Sequence, residues 1–182
     1  MQFEPTRLPE VVLIKPRLFG DARGFFFESW HQRQFAAAGI DARFVQDNHS
    51  HSVRHALHGL HFQIQQPQGK LVRVVRGEVF DVAVDIRRSS PRFGQWVGTM
   101  LSEANHQMLW VPPGFAHGYL ALSDEIDFLY KCTDFYAPQH ERAIRWDDGE
   151  IGVQWPLPAG IAPTLSARDA AAPWFRDAES YP

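Results

Sequence analysis

Glu78-Val79-Phe80-Asp81-Val82-Ala83-Val84-Asp85-Ile86 is the stretch on which the fold turns. Successive side chains of an extended chain point to opposite sides, so Phe80, Val82, Val84 and Ile86 share an apolar face while Asp81 and Asp85 fall on the other. Residues 71–75 precede this strand, and Arg76-Gly77 between them predicts a tight hairpin turn. Working outward, further strands are expected at residues 11–14, 24–28, 42–46, 58–64, 95–101, 107–111, 115–122 and 125–133. Turn-forming runs separate them: Ser89-Ser90-Pro91, Pro112-Pro113-Gly114 and Ser123-Asp124. One helix is expected at residues 31–38, closed by Gly39, and a short helical turn at residues 166–172. Many short strands with few helices predict a mainly β chain, an antiparallel sandwich or jelly roll. From Pro156 onward the chain is richer in Pro and Ala and is expected to pack back on the barrel, leaving residues 1–182 as a single domain.

Composition narrows the function. A chain of 182 residues suits one domain, and 45% hydrophobic with 21% charged residues is enough to bury a sizeable core. The formal net charge of −3 gives no general attraction to nucleic acid or to an anionic membrane, so any phosphate site must be a local cluster of Arg and Lys. Cys132 is the only cysteine, which rules out an intramolecular disulfide and points to a reducing, cytoplasmic setting. No apolar run reaches the roughly 18 residues of a membrane-spanning helix, and Met1-Gln2-Phe3-Glu4-Pro5 lacks the basic-then-apolar order of a signal peptide.

Five histidines crowd one region, His49, His51, His55, His58 and His61, so a metal centre is the first candidate chemistry. Such centres need three or more donors converging on one point. Pro112-Pro113-Gly114-Phe115-Ala116-His117 is similar to the second signature of cupins, jelly rolls that often hold a metal. Their first signature, a His-x-His pair followed by Glu, would here be His61-Phe62-Gln63. Gln63 is a poor ligand, no Glu follows in residues 64–70, and Lys70 adds positive charge where a cation would sit. No metal is therefore expected, and His49, His51 and His55 are read as loop residues.

A wider resemblance covers nearly the whole chain in order. Phe19-Gly20-Asp21-Ala22-Arg23-Gly24-Phe25-Phe26-Phe27-Glu28, Phe44-Val45-Gln46-Asp47-Asn48-His49-Ser50, Gly59-Leu60-His61-Phe62-Gln63 and Gln68-Gly69-Lys70-Leu71-Val72-Arg73 come first. Gly77 to Asp85, Trp110 to Gly118, Phe128-Leu129-Tyr130-Lys131, Ile144-Arg145-Trp146-Asp147-Asp148 and Leu165-Ser166-Ala167-Arg168-Asp169 continue it. The sequence thus resembles the dTDP-4-dehydrorhamnose 3,5-epimerases. The resemblance implies a cupin-like jelly roll without metal or other cofactor, a homodimer, and a dTDP-sugar substrate inverted at C3 and C5 in dTDP-rhamnose biosynthesis.

The residues suit that chemistry. Hydrogens at C3 and C5 flank a C4 ketone, so removal of either gives an enolate, which calls for a base, an oxyanion partner and an acid. Histidine titrates near the working pH. The resemblance makes His61 the base with Asp169 against its other ring nitrogen, Lys70 the oxyanion partner and Tyr130 the acid. Tyr130 shares a strand face with Ile126, Phe128 and Cys132, which directs it inward. By the same resemblance Arg23, Glu28, Gln46, Asn48, His58, His117, Glu141 and Arg168 occupy substrate-contacting positions, and Tyr136 one that stacks on thymine. Three residues depart from the family pattern: His58 stands where Arg usually precedes Gly-Leu-His, Arg168 where Lys is common, and Phe135 lacks the hydroxyl often found there. The alternatives left open are a single-carbon epimerase of another nucleotide deoxysugar, a metal-dependent cupin such as a dioxygenase or isomerase, and a non-enzymatic sugar-binding jelly roll.

Overall fold

The structure, a computed structural model, describes residues 1–182. In chain order its strands are β1 (Gln2–Pro5), β2 (Val12–Lys15), β3 (Phe19–Asp21), β4 (Gly24–Phe26), β5 (Gln46–Val53), β6 (Leu57–Gln63) and β7 (Lys70–Arg76). They continue as β8 (Glu78–Asp85), β9 (Trp96–Ser102), β10 (Met108–Val111), β11 (Phe115–Ala121), β12 (Glu125–Cys132) and β13 (Glu141–Ala143). Helix α1 (Gln32–Ala37) lies between β4 and β5, and α2 (Ala167–Ala170) lies near the C-terminus. The first sheet has the order β1-β2-β10-β7-β12-β5, the second β13-β6-β11-β8-β9, and β3-β4 is a separate hairpin. The two antiparallel sheets face each other without closing into one hydrogen-bonded ring, a cupin-like jelly roll.

Three apolar layers hold this arrangement. Between the sheets lie Val72, Val74, Val79, Ala83, Leu109, Phe115, Tyr119, Ile126 and Phe128. The outer face of the second sheet, with Leu60, Phe62, Val82, Val84 and Ile86, is covered by Ile151, Trp155, Phe175, Ala178 and Tyr181 from the C-terminal stretch. The outer face of the first sheet, with Ile14, Leu71, Met108 and Trp110, is covered by Phe35 of α1 and by Ile40. Each fully buried side chain of this size contributes about 1.5–3 kcal/mol. Strand β8 is thus buried on both faces. Its apolar face lies outward beneath the C-terminal stretch, and the face with Asp81 and Asp85 looks between the sheets.

Most expected elements appear within a residue or two of their sequence bounds, α1 and α2 included. Two expectations fail. Arg76-Gly77 does not close a hairpin: β7 pairs with β10 and β12, β8 with β9 and β11, so the chain crosses here from one sheet to the other. Gly77 is still required, at φ 74° and with Glu125 O only 2.5 Å from where a Cβ would sit. A turn-forming pair marks a change of direction but not the partner of the next strand.

The strand expected at residues 42–46 is also absent but for Gln46, which opens β5; Ala42 and Phe44 pack instead on the α1 cluster. The strand is β5, polar on both faces, which carries no apolar alternation for periodicity to detect. His49 and His51 are therefore strand residues, not loop residues, and both bond Asp127 Oδ1, at 3.0 and 3.2 Å. His55 does sit in a turn, at φ 64°.

Asp85 anchors the turn after β8. It accepts from Arg87 N, Nε and Nη2 at 3.0, 2.9 and 2.6 Å and from Ser90 Oγ at 2.6 Å. Burial works to raise its pKa, but these bonds outweigh burial and hold it below the ordinary aspartate value. The stabilisation is therefore present above the unfolded-state pKa and is lost as pH falls through the lower folded-state value. Asp85→Asn should cost about 1–3 kcal/mol at neutral pH. In paired thermal melts the gap to wild type should narrow at pH values below about 4.

Candidate active site

The site begins with an irregularity in β6. His61 pairs with His117 of β11 and His58 with Tyr119, so two residues of β6, Gly59 and Leu60, oppose the single Gly118 of β11. This bulge places His58 and His61 on one face, although a spacing of three would set them on opposite faces of a regular strand. Gly59 makes it possible. Its φ is +111°, and a Cβ there would come within 2.6 Å of His117 O and 2.7 Å of Gly118 Cα.

Between the sheets is a two-part cavity. The inner part, about 110 Å³, is lined by Ser50, His58, His61, Lys70, His117, Tyr119, Phe128 and Tyr130. The outer part, about 330 Å³, shares His61, Lys70 and Tyr130 and adds Gln46, Asn48, Gln68, Tyr136 and Glu141. The outer part alone reaches the size of a small-molecule site, roughly 300–1,000 Å³, and the inner part deepens it.

His61 Nε2 lies 2.5 Å from Asp169 Oδ1, across 108 positions of sequence. Asp169 is buried on α2; its carboxylate accepts from Ser166 Oγ at 2.7 Å, and Ser166 caps the helix by accepting the Asp169 N–H. Burial opposes ionisation of Asp169, but the His61 and Ser166 hydrogen bonds prevail and lower its pKa. The carboxylate holds the Nε2–H tautomer and leaves Nδ1 of a neutral ring as an acceptor.

Lys70 opens β7 and Tyr130 is on β12, both in the first sheet, whereas His61 is in the second. Lys70 has no ion-pair or hydrogen-bond partner in the chain. Burial pulls its pKa below the usual lysine value, opposed by Cys132, Glu141 and Asp81. Burial also pushes the Tyr130 phenol up to about 12, so it carries its proton across the physiological range.

The outer part is a polar network. Gln46 Oε1 accepts the Tyr136 N–H at 2.9 Å, and Gln46 Nε2 donates to Asn48 Oδ1 at 3.0 Å. Glu141 accepts from Tyr136 OH at 2.5 Å and pairs with Arg168. Deeper in, His58 Nε2 lies 2.8 Å from Ser52 Oγ, and its ring stacks on Tyr119 at 4.7 Å. Burial holds its pKa below the ordinary histidine value, with Asp169 opposing, so near neutral pH His58 supplies no fixed charge where arginine would.

The structure thus brings His61, Asp169, Lys70, Tyr130, His58, His117, Gln46, Asn48, Tyr136, Glu141 and Arg168 to one cavity and its rim. Arg23 and Glu28 are not there. Arg23, at the tip of the β3–β4 hairpin with a side chain 90% exposed, bonds Asp21, and Glu28 bonds Gln34. Sequence reasoning missed Ser166 and Asp81; the latter lies 2.9 and 3.0 Å from His117 Nε2. A carboxylate flanked by Val79 and Ala83 was the available signal.

The donor set does not fit a metal. No three His, Cys, Asp or Glu side chains converge in a geometry that holds an ion. Gln63, at the second ligand position of the cupin signature, donates to Gln66 O and Phe135 O and accepts from Ala137 N, so its amide fastens a loop.

A carboxylate-backed imidazole that shares one cavity with a phenol and a lysine is equipment for moving protons at carbon beside a carbonyl; fold and site together define a jelly-roll acid–base enzyme of the epimerase class. The family model of dTDP-4-dehydrorhamnose 3,5-epimerase matches residues 5–177. The chain is 58% identical over 180 residues to the dTDP-4-dehydrorhamnose 3,5-epimerase of Pseudomonas aeruginosa, covering 97% of this chain and 98% of that one. To the enzyme of the same name from Salmonella typhimurium it is 55% identical over 170 residues, covering 92% of each. The crystal structure of dTDP-6-deoxy-D-glucose-3,5-epimerase from Legionella pneumophila, in complex with dTDP-4-keto-L-rhamnose, superimposes with a TM-score of 0.93. It shares 49% identity, over 97% of this chain and 93% of that one. The chain belongs to the dTDP-4-dehydrorhamnose 3,5-epimerase family.

Gly59→Ala tests the bulge. Forcing a side chain into this φ and against the β11 backbone should cost about 1–3 kcal/mol. Because His58 and His61 turn together, activity should fall even at temperatures where melts show the variant folded.

Proposed function

We propose that this chain inverts C3 and C5 of dTDP-4-dehydro-6-deoxy-D-glucose to give dTDP-4-dehydro-L-rhamnose, in dTDP-L-rhamnose biosynthesis. One observation carries the proposal: the base and the acid project from opposite sheets. A sugar ring held between the sheets presents one face to His61 and the other to Tyr130, the arrangement that inversion requires.

His61 Nδ1 takes the hydrogen from C5, the C–H electrons pass to the C4 oxygen, and Lys70 stabilises the resulting enolate. Tyr130 returns a proton to the opposite face, the electrons flow back from oxygen, and the ketone is restored with C5 inverted. The same groups serve C3, also adjacent to the ketone. The substrate carries its own electron sink, so the step needs neither metal nor nicotinamide. Gln46, Asn48, Tyr136, Glu141 and Arg168 are assigned to the nucleotide, Tyr136 as the stacking aromatic and Arg168 as the phosphate-binding cation. His58 and His117 are assigned to the sugar end. Residues 1–182 form one domain in this proposal, and the single, unpaired Cys132 favours a cytoplasmic setting.

A homodimer completes the site. The β3–β4 hairpin pairs with neither large sheet, yet Phe19, Phe25 and Phe26 are each more than half exposed. A lone hairpin of this kind is not stable by itself, and its exposed phenylalanines call for a covering surface. A second copy would cover it and bring Arg23 and Glu28 to a neighbouring cavity otherwise short of cations.

Incubation with dTDP-4-keto-6-deoxy-glucose in deuterated water should label C3 and C5. His61→Ala should lower exchange by about 10²–10⁴-fold in a folded protein. Label at one carbon alone would point to a single-site epimerase, and exchange at the wild-type rate in His61→Ala would place the base elsewhere.

The dimer is testable by mixing. His61→Ala and Arg23→Ala proteins, each impaired alone, should regain activity when subunits exchange, because one cavity of the mixed dimer then has both residues. Mixtures no more active than their components would show that Arg23 does not act across subunits.

A further inference from the structure

Position 81 holds a carboxylate where the surrounding face is apolar. Asp81 lies on β8 between Val79 and Ala83, both in the layer between the sheets, and its side chain is wholly buried. Burying a carboxylate costs several kcal/mol even when it is paired, and an apolar side chain of similar volume is often neutral or stabilising there. Asp85, two turns of the pleat away on the same face, shows a structural carboxylate, saturated by Arg87 and Ser90. Asp81 has one partner only, His117 Nε2, which reaches both carboxylate oxygens. Burial raises the Asp81 pKa, and His117 and Lys70 oppose that rise.

His117 is the direct cross-strand partner of His61 and lines the inner cavity beside it. Its Nε2 is occupied by Asp81, and its Nδ1 has no partner in the chain. The second sheet therefore carries two adjacent imidazoles, each held through Nε2 by a carboxylate: Asp169 from the C-terminal helix and Asp81 from within β8. A carboxylate only accepts hydrogen bonds, so the nitrogen facing it bears the hydrogen, and the other nitrogen of a neutral ring is an acceptor.

We propose that Asp81 is a positioning residue for the epimerisation, locking His117 in the Nε2–H tautomer so that Nδ1 accepts a hydroxyl of the sugar and turns the reacting C–H bond toward His61. This rests on the sugar-epimerase function proposed above. His117 aligns the ring, His61 removes the proton, and Asp81 touches neither substrate nor reacting atoms. Asparagine at position 81 presents either its oxygen or its NH₂ to the ring, so both tautomers become accessible.

The test combines kinetics with long-range ¹H–¹⁵N NMR of the imidazoles. Wild-type His117 should show the Nε2–H tautomer alone. Asp81→Asn should add the Nδ1–H form and lower kcat at least about tenfold, with KM little changed. On a His117→Gln background, Asp81→Asn should add little, because the residue it acts through is gone. An Nδ1–H wild-type tautomer overturns the proposal whether or not Asp81→Asn folds. So does an Asp81→Asn penalty of equal size with and without His117, which would make the role structural. Wild-type deuterium exchange is the separate control: if it is absent, the epimerase function fails, whereas the tautomer measurement needs no substrate.

Discussion

The hydrogen bond between His61 and Asp169 ties together parts of the chain that have no local reason to meet. One end is a strand residue turned inward by a bulge, the other a buried carboxylate on a helix of four residues. Such a short helix has little stability of its own. It holds its place because Ser166 caps it and because the C-terminal stretch is anchored on the outer face of the second sheet by Ile151, Trp155, Phe175 and Tyr181. The apolar face of β8 is part of that anchor, so the layer that stabilises the fold also sets the angle of the His61 ring.

The gap between the sheets is divided by chemistry. Toward one side it is filled by Val74, Val79, Leu101, Leu109 and Phe128 and behaves as ordinary core. Toward the other, the same inward alternation delivers His61, His117, Asp81, Lys70 and Tyr130. Low dielectric strengthens the interactions among these groups and makes each unpaired charge expensive. Lys70, without a counter-ion contact, and the unengaged Nδ1 atoms of His61 and His117 are groups left for a ligand. Holding them costs stability, which the three apolar layers offset.

Legibility in the sequence followed the range of the forces. Alternation marked β8, β11 and β12 and correctly turned Tyr130 inward, because the strand period is a property of a few consecutive residues. The helical segments at 32–37 and 167–170 were visible for the same reason. Strand β5 was not, since polar residues line both of its faces. The Arg76-Gly77 turn was located correctly but assigned the wrong partner strand. The site residues were named through family motifs rather than spacing. Spacing alone would have separated His58 from His61, and it gave no sign that Arg23 and Glu28 lie outside the cavity of their own chain.

What the sequence by itself determined is the set of parts: a mainly antiparallel fold with few helices, a histidine base candidate without metal ligands around it, and an order of motifs that identifies the family. What only the tertiary structure decided is how the parts are paired. It joined Asp169 to His61 and Asp81 to His117, placed Tyr130 and His61 on opposing sheets, and closed Gln63 off as a loop clamp. The physical reason is that backbone stereochemistry acts over two to four residues, whereas strand pairing, bulges and sheet packing are settled between segments tens to a hundred residues apart. A carboxylate in a strand looks the same in sequence whether it anchors a turn, as Asp85 does, or holds an imidazole, as Asp81 does.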